Sequence, residues 1–334
     1  MKKVFVLKGL VVWALLMLST TAFAAPLTVY SSVDEENGRA ILAAFTRATG
    51  VEVEAVFLSS GPAMSRIESE KAEPQADVWF GAPAENHVLA KEQDLTQSYI
   101  PKEVKNLAPF FKDPDGYWHA FYMNPLGLGV LTQELAKTKK PAPKTWQDLL
   151  KPPYKGIIQM PSPQSSGTAY SLVCTLIELW GEEKAFDFMK KLHPNIQAYT
   201  QSGTGPAQSL AAGETQIAIQ FTPGLLKLAG TGFPVDVFFP EEGVGFEAAA
   251  ISILQGAKNL EAAKTLVDWI ISKNGQRAIV EAKTYFFPVR GDVSAEKGLP
   301  TLHEIKLINY DREKAAQNKK RIVDRWLSEV SSEK

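Results

Sequence analysis

Short apolar strands that end in a small or hydroxylated turn and then hand over to a helix recur along this chain. That alternation restricts it to an α/β architecture. Residues 27–30 (LTVY) run into Ser31 and Ser32 ahead of a helical pattern over 38–49. Residues 51–57 (VEVEAVF) alternate with period two and deliver Ser59, Ser60 and Gly61 to another helix start. Residues 76–80 (ADVWF) end at Gly81. Strands separated by helices pair mainly in parallel, and the loops at their carboxyl ends gather on one side, where ligands bind in open α/β sheets.

The pattern changes at residues 117–131 (YWHAFYMNPLGLGVL), a long extended run with glycines and no helical period. Such a run suits a strand crossing between two lobes. Strands over 156–160 and 216–220 follow, and residues 240–254 (PEEGVGFEAAAISIL) read as the return crossing. The expected organisation is a first lobe from 25–123 plus 247–309, a second lobe from 124–246, and a C-terminal surface helix within 310–334. Neither an internal repeat nor a low-complexity segment is visible.

Residues 1–24 read as a secretory signal: Lys2, Lys3 and Lys8 are the basic start, residues 10–18 (LVVWALLML) the apolar core, and Ala22-Phe23-Ala24 the cleavage site. The apolar run is too short for a hydrocarbon core about 30 Å thick, so an exported protein with the segment cleaved, and not a retained anchor, is expected. The formal net charge of −1 becomes more negative once those lysines are removed. With no basic tract, nucleic acid and anionic membrane are excluded as expected partners. Cys174 is the single cysteine in 334 residues, which rules out an intramolecular disulfide and a cysteine metal site. It lies in an apolar run and is expected to be buried. Without disulfides an exported chain depends on its core, and 45% apolar residues are enough for two lobes.

Three helix starts are rich in hydroxyls and glycine: Ser59-Ser60-Gly61, Ser165-Ser166-Gly167-Thr168 and Ser202-Gly203-Thr204. Free N–H groups at a helix start form an anion seat, and the hydroxyls add donors. Each has an ordinary alternative, since Ser and Thr commonly cap helices and glycine commonly satisfies a turn. Their recurrence at strand ends favours ligand contact. Chemistry is not indicated beside them. His87, His119, His193 and His303 are scattered, no nucleophile elbow or phosphate-binding loop is present, and Glu241-Glu242 lie beside glycine in a hinge-like turn. A hydrolase assembled from distant residues is the alternative, as is a secreted sugar-phosphate enzyme. Trp79 and Trp180 read as core residues.

The order of segments resembles a known family. LTVYSSVDEENGRAILAAFTRATGVEVEAVF, ADVWFGAPA, SSGTAYSLV, SLAAGETQIAIQ and FPEEGVGFEAAAISILQGAKNLEAAKTLVDWIISKNGQ together resemble the periplasmic solute-binding proteins of ABC importers. The closest group contains ferric-iron, thiamine, phosphonate and sugar-phosphate binders. The resemblance implies two α/β lobes joined by two crossing strands, closure on one ligand, docking on an inner-membrane permease, and a monomer without cofactor or enzymatic activity.

Ferric binders of this group carry two adjacent tyrosines after the strand that here spans 217–220. Those positions hold Thr222 and Pro223, and neither supplies a phenolate. The anion seat at Ser166-Gly167-Thr168 is retained. Retention of the seat with loss of the metal ligands implies a small anionic organic solute, such as a sugar phosphate or a phosphonate; ferric iron is the alternative. Ser31, Ser32, Ser60, Gly81 and Thr204 are expected beside the anion, with Gln220, Thr222 and Glu241 reading the rest of the ligand. An amine-bearing ligand using Glu241 and Tyr122 is a further alternative.

Overall fold

The computed structural model describes residues 25–331; the segment read as a secretory signal lies outside the described residues. Among the described residues, twelve strands and eleven α-helices, numbered in chain order, build the fold. The first part comprises β1 (Leu27–Ser31), α1 (Glu35–Thr49), β2 (Val53–Phe57), α2 (Ser60–Ser69), β3 (Val78–Pro83), α3 (Ala84–Glu92) and β4 (Thr96–Gln97). The long β5 (His119–Val130) leads to α4 (Thr132–Lys137), β6 (Ile158–Pro161), α5 (Gly167–Trp180), α6 (Glu182–Leu192), β7 (Ile196–Thr200), α7 (Gly205–Ala211), β8 (Ile217–Phe221), α8 (Pro223–Gly230) and β9 (Asp236–Phe238). The return strand β10 (Val244–Leu254) is followed by α9 (Leu260–Ile271), α10 (Lys273–Glu281), β11 (Phe287–Pro288), β12 (Leu307–Ile308) and α11 (Arg312–Glu329).

The main sheet path runs β2-β1-β3-β10-β5-β8-β6-β7. Its two ends are parallel, as helix-linked strands dictate: β1 pairs with β2 and β3, and β6 with β7 and β8. Its middle is antiparallel, because β5 leaves one end of the path and β10 returns to it. Glu247 pairs with Asn124, and the register shifts between Ala249 and Ala250.

Two large cores flank this middle. Phe121, Tyr122 and Met123 of β5 and Ala248 to Ile251 of β10 belong to the first, with Ile41, Phe45 and Phe80. Leu126, Leu128 and Val130 belong to the second, with Val244, Tyr170 and Phe186. Each crossing strand therefore passes from one core to the other next to the Asn124–Glu247 pair. The glycine-rich half of β5 has a steric cause: a β-carbon on Gly129 would overlap the Leu225 side chain of α8.

The charged C-terminal segment does form a helix, but it is more than a surface addition. Its apolar face buries Ala315, Ala316, Ile322 and Trp326. It also ties the cores together: Lys319 Nζ donates to Asn86 Oδ1 of α3, while Arg321 forms a bidentate pair with Glu182 of α6 at 2.6 and 2.8 Å. Cys174 is buried, and burial pushes its thiol well up from the ordinary range.

Where α9 meets α10, Ser272 caps the second helix: its hydroxyl accepts from Gly275 N at 3.1 Å and donates to Trp269 O at 2.7 Å. Ser272→Ala is expected to lower unfolding stability by about 1 kcal/mol, the ordinary worth of a helix cap. Denaturant melts of the two proteins check this.

Candidate functional site

A cavity of about 740 Å³ opens between the two cores at the carboxyl ends of the strands. Its volume suits a small organic ligand. The loops after β1, β2, β6 and β7 line it, together with α8, the crossing strands and Phe286. The cavity has two chemically different sides.

One side is made of hydroxyls and helix starts. Ser59, Ser60, Ser166, Thr168, Ser202, Gly203 and Thr204 all line it. They converge on one place: a β-carbon on Gly167 would stand 2.8 Å from Ser60 Oγ, and one on Gly203 would overlap Thr168 Oγ1 and come within 3.2 Å of Ser166 Oγ. Ser59, Ser166 and Thr204 occupy the N-cap positions of α2, α5 and α7, yet none makes a side-chain cap bond. At α1, α10 and α11 the caps are made, by Asp34, Ser272 and Asp311. At α7 Pro206 has no N–H, Gly205 N donates to Ser202 O and Ala207 N to Gln220 Oε1, and at α2 Gly61 N donates to Ser165 O; the α5 start and the surrounding hydroxyls form the donor-rich surface for an anion.

The other side carries carboxyls, an amide and rings. Asp34, Asn37, Asn124, Glu247, Tyr122, Phe57 and Phe286 line it. Asp34 accepts from Asn37 N and Nδ2, both at 3.0 Å, while burial raises its affinity for a proton. Asn124 Nδ2 donates to Glu247 Oε1 at 2.8 Å. Burial pushes the Glu247 carboxyl up to about 8, with repulsion from Glu85 and Asp34 adding to it. Tyr122 stacks on Phe286 with centroids 4.0 Å apart.

The cavity walls touch each other. Gly61 N donates to Ser165 O at 3.0 Å, joining the starts of α2 and α5, and Lys227 of α8 pairs with Glu36 of α1 at 2.7 Å. Lys227 lines the cavity. This cation lies outside the three hydroxyl turns, on the wall of the carboxyl side.

Ser32 lines the cavity and accepts from Trp79 Nε1 at 3.0 Å. The other residues expected from sequence stand behind the lining or away from it. Ser31 is fully buried in β1. Gly81, at φ +88°, offers its carbonyl to His87 Nε2 at 2.7 Å. Ser165 Oγ donates to Gln201 O at 2.8 Å and ties two of the turns together. Gln220 Oε1 accepts from Ala207 N at 2.8 Å, so it satisfies the first turn of α7 instead of facing a ligand. Thr222 is buried, its Oγ1 donating to Pro125 O at 3.2 Å.

Glu241 is exposed in a turn where its backbone N donates to Lys144 O, and it does not line the cavity. The reason is its place in the chain: β10 begins at Val244, and Glu241 lies in the turn before it, six positions from Glu247. Glu247 is the carboxyl on this strand that reaches the cavity. Sequence reasoning missed it together with Asn124, Phe286, Phe57 and Lys227. A signal was present, since Asn124 and Glu247 each interrupt the middle of a mostly apolar crossing strand.

No histidine lines the cavity. His87 is buried between Ser252 and Gly81, stacked on Trp79, and burial holds it down at about 4. Among the described residues, no group of three or more His, Cys, Asp or Glu is placed to hold a metal ion, and no helix is long and apolar enough to cross a membrane.

A two-lobed α/β fold with a cavity at the crossing strands is that of the periplasmic binding proteins. The bacterial extracellular solute-binding protein family matches residues 76–318, and this chain belongs to it. It is similar to an uncharacterised protein of Haemophilus influenzae, 37% identical over 340 residues, covering 94% of this chain and 97% of that one. The fold superimposes with a TM-score of 0.89 on the periplasmic binding protein AfuA from Actinobacillus pleuropneumoniae with fructose-6-phosphate bound, at 36% identity, covering 92% of this chain and 98% of that one. A putative 2-aminoethylphosphonate-binding periplasmic protein of Salmonella typhimurium is 29% identical over 264 residues, covering 75% of this chain and 73% of that one. The family is one of solute-binding proteins and not of enzymes.

Proposed function

We propose that this protein is the periplasmic receptor of an ABC importer for a phosphorylated organic solute. The observation that carries this reading is the uncapped start of α5 at the cavity, with the hydroxyls of Ser59, Ser60, Ser166, Thr168, Ser202 and Thr204 lining the same cavity around it. A phosphate group takes many donors at once. Helix starts and hydroxyls supply them with no arginine in the seat.

Export by a cleaved segment over 1–24 places the receptor in the periplasm, and a permease in the inner membrane takes the solute from it. Lobe 1 is 25–123 plus 247–309, lobe 2 is 124–246, and the C-terminal helix lies within 310–334. The solute enters an open cleft, and rotation about the two crossing strands closes the lobes on it. The protein acts as a monomer and performs no reaction on its cargo. AfuA carrying a bound sugar phosphate and the Salmonella relative named for a phosphonate support the same ligand class.

A thermal-shift series on the chain from residue 25 tests the reading. Fructose 6-phosphate, 2-aminoethylphosphonate, inorganic phosphate and ferric citrate are the probes. A ligand at a hundred times its Kd adds about 2.7 kcal/mol, a shift of several degrees. The expected result is a shift with at least one organic phosphate or phosphonate and none with ferric citrate. A shift with ferric citrate alone overturns it.

A further inference from the structure

On the carboxyl side of the cavity, on the two crossing strands, is a polar pair whose hydrogen bonding is incomplete. Asn124 is 1% exposed and Glu247 6%. They are direct cross-strand partners, and one amide N–H of Asn124 is spent on Glu247 Oε1. Asn124 Oδ1 is buried without a hydrogen-bond partner, although both residues line the cavity. A buried acceptor left open costs on the order of 1–3 kcal/mol, a cost that a bound group removes.

We propose that Asn124 and Glu247 form a second subsite that takes an uncharged alcohol of the solute and discriminates against an ammonium at the same position. This deepens the proposed function and rests on the phosphate seat that orients the solute. An alcohol oxygen both donates and accepts. It donates to Asn124 Oδ1 and accepts from a protonated Glu247 Oε2, so both partners are satisfied by one group. An ammonium only donates and needs an ionised carboxylate.

The surrounding charges select the neutral form. Asp34 at the start of α1 and Glu85 of α3 repel a charge on Glu247. Glu85 is fully buried, accepting from Ser171 Oγ at 2.9 Å and Tyr310 OH at 3.1 Å. The buried Lys319 of α11 acts on Glu85, and Tyr122 of β5 is held neutral by burial. On the α8 wall the cation Lys227 is paired with Glu36 and acts on Asp34. Buried among these groups, Glu247 keeps its proton up to about pH 8.

The test compares two isosteric phosphate esters, 2-hydroxyethyl phosphate and O-phosphoethanolamine, by calorimetry on the wild-type protein and on Glu247→Gln at pH 7 and pH 9. Both phosphates are already dianionic over that range, since a monoester loses its second proton near pH 6. The wild type is expected to bind the hydroxyl ester at least tenfold tighter. Its affinity for that ester falls about tenfold from pH 7 to pH 9, as only about one tenth of a carboxyl titrating near 8 keeps its proton at pH 9. In Glu247→Gln, which cannot ionise, that pH dependence disappears.

A ligand-free readout guards against a misfolded variant. A carboxyl neutral in the folded state and ionised from about pH 4.5 upward in the unfolded state contributes stability that is lost as pH rises toward about 8. The wild-type Tm should therefore fall from pH 6 to pH 9 more steeply than that of Glu247→Gln.

Tighter binding of the ammonium ester, or affinity for the hydroxyl ester that rises with pH, overturns the subsite. Ser166→Ala with Thr168→Ala reports the phosphate seat separately: loss of both esters supports the seat without altering the order between them. If neither ester binds the wild type, the phosphate reading fails, and the subsite fails with it.

Discussion

Replacing Ser166 and Thr168 together with alanine is expected to weaken binding of a phosphate ester by roughly a hundredfold to ten-thousandfold while leaving the fold intact. Two hydroxyl bonds to a charged group are lost, each worth about 1.5–3 kcal/mol, and each 1.4 kcal/mol is about a factor of ten. Stability should change little, because the Ser166 side chain does not cap α5 and neither hydroxyl makes a hydrogen bond within the protein. Calorimetric titration with matched melting curves separates the two effects. Glu241→Ala is the control: Glu241 stands exposed outside the cavity, so the affinity should be unchanged. Unaltered affinity in the double variant would mean that the anion sits elsewhere.

The features legible in the sequence were those written locally. Strand periodicity, hydroxyl turns and helix starts each occupy a few consecutive residues, which is why α2, α5 and α7 begin where the three turns indicated. The length of β5 was legible too, since glycines without helical period leave only an extended chain. What was not legible depends on pairing across long separations. Asn124 and Glu247 are 123 positions apart, and only the register of two antiparallel strands makes them neighbours. Lys227 carries no local signal in the sequence, because it lies in the last turn of α8 and apart from the hydroxyl turns. Gln220 was correctly placed at a strand end but wrongly aimed: a side-chain carbonyl next to an uncapped helix start bonds that start first. Glu241 is acidic and close in sequence to the return crossing, but it falls in the turn before β10 and not on the strand that reaches the cavity.

Closure itself can be blocked by a single methyl group. Gly167 opens α5 in the proposed second lobe, and a β-carbon there would lie 2.7 Å from Pro83 Cδ and 2.8 Å from Ser60 Oγ, both in the proposed first. Contacts this short are not tolerated, and overpacking of this kind costs about 1–3 kcal/mol. In an open cleft the same methyl meets nothing from the opposite lobe. The cost therefore falls on the closed state alone, and Gly167→Ala should weaken solute binding by about 5- to 150-fold. The ligand-free protein should melt at the same temperature or slightly higher, because alanine loses less backbone freedom than glycine on entering a helix. Small-angle scattering at saturating solute provides the second readout: the wild type contracts, and the variant contracts less. Pro83→Ala removes the ring carbon that the methyl strikes, so combining it with Gly167→Ala should restore part of the affinity as a double-mutant cycle. A variant that binds and contracts like the wild type would show that the two lobes do not approach as closely as Gly167 and Pro83 do here. Closure would then not be the step that holds the solute.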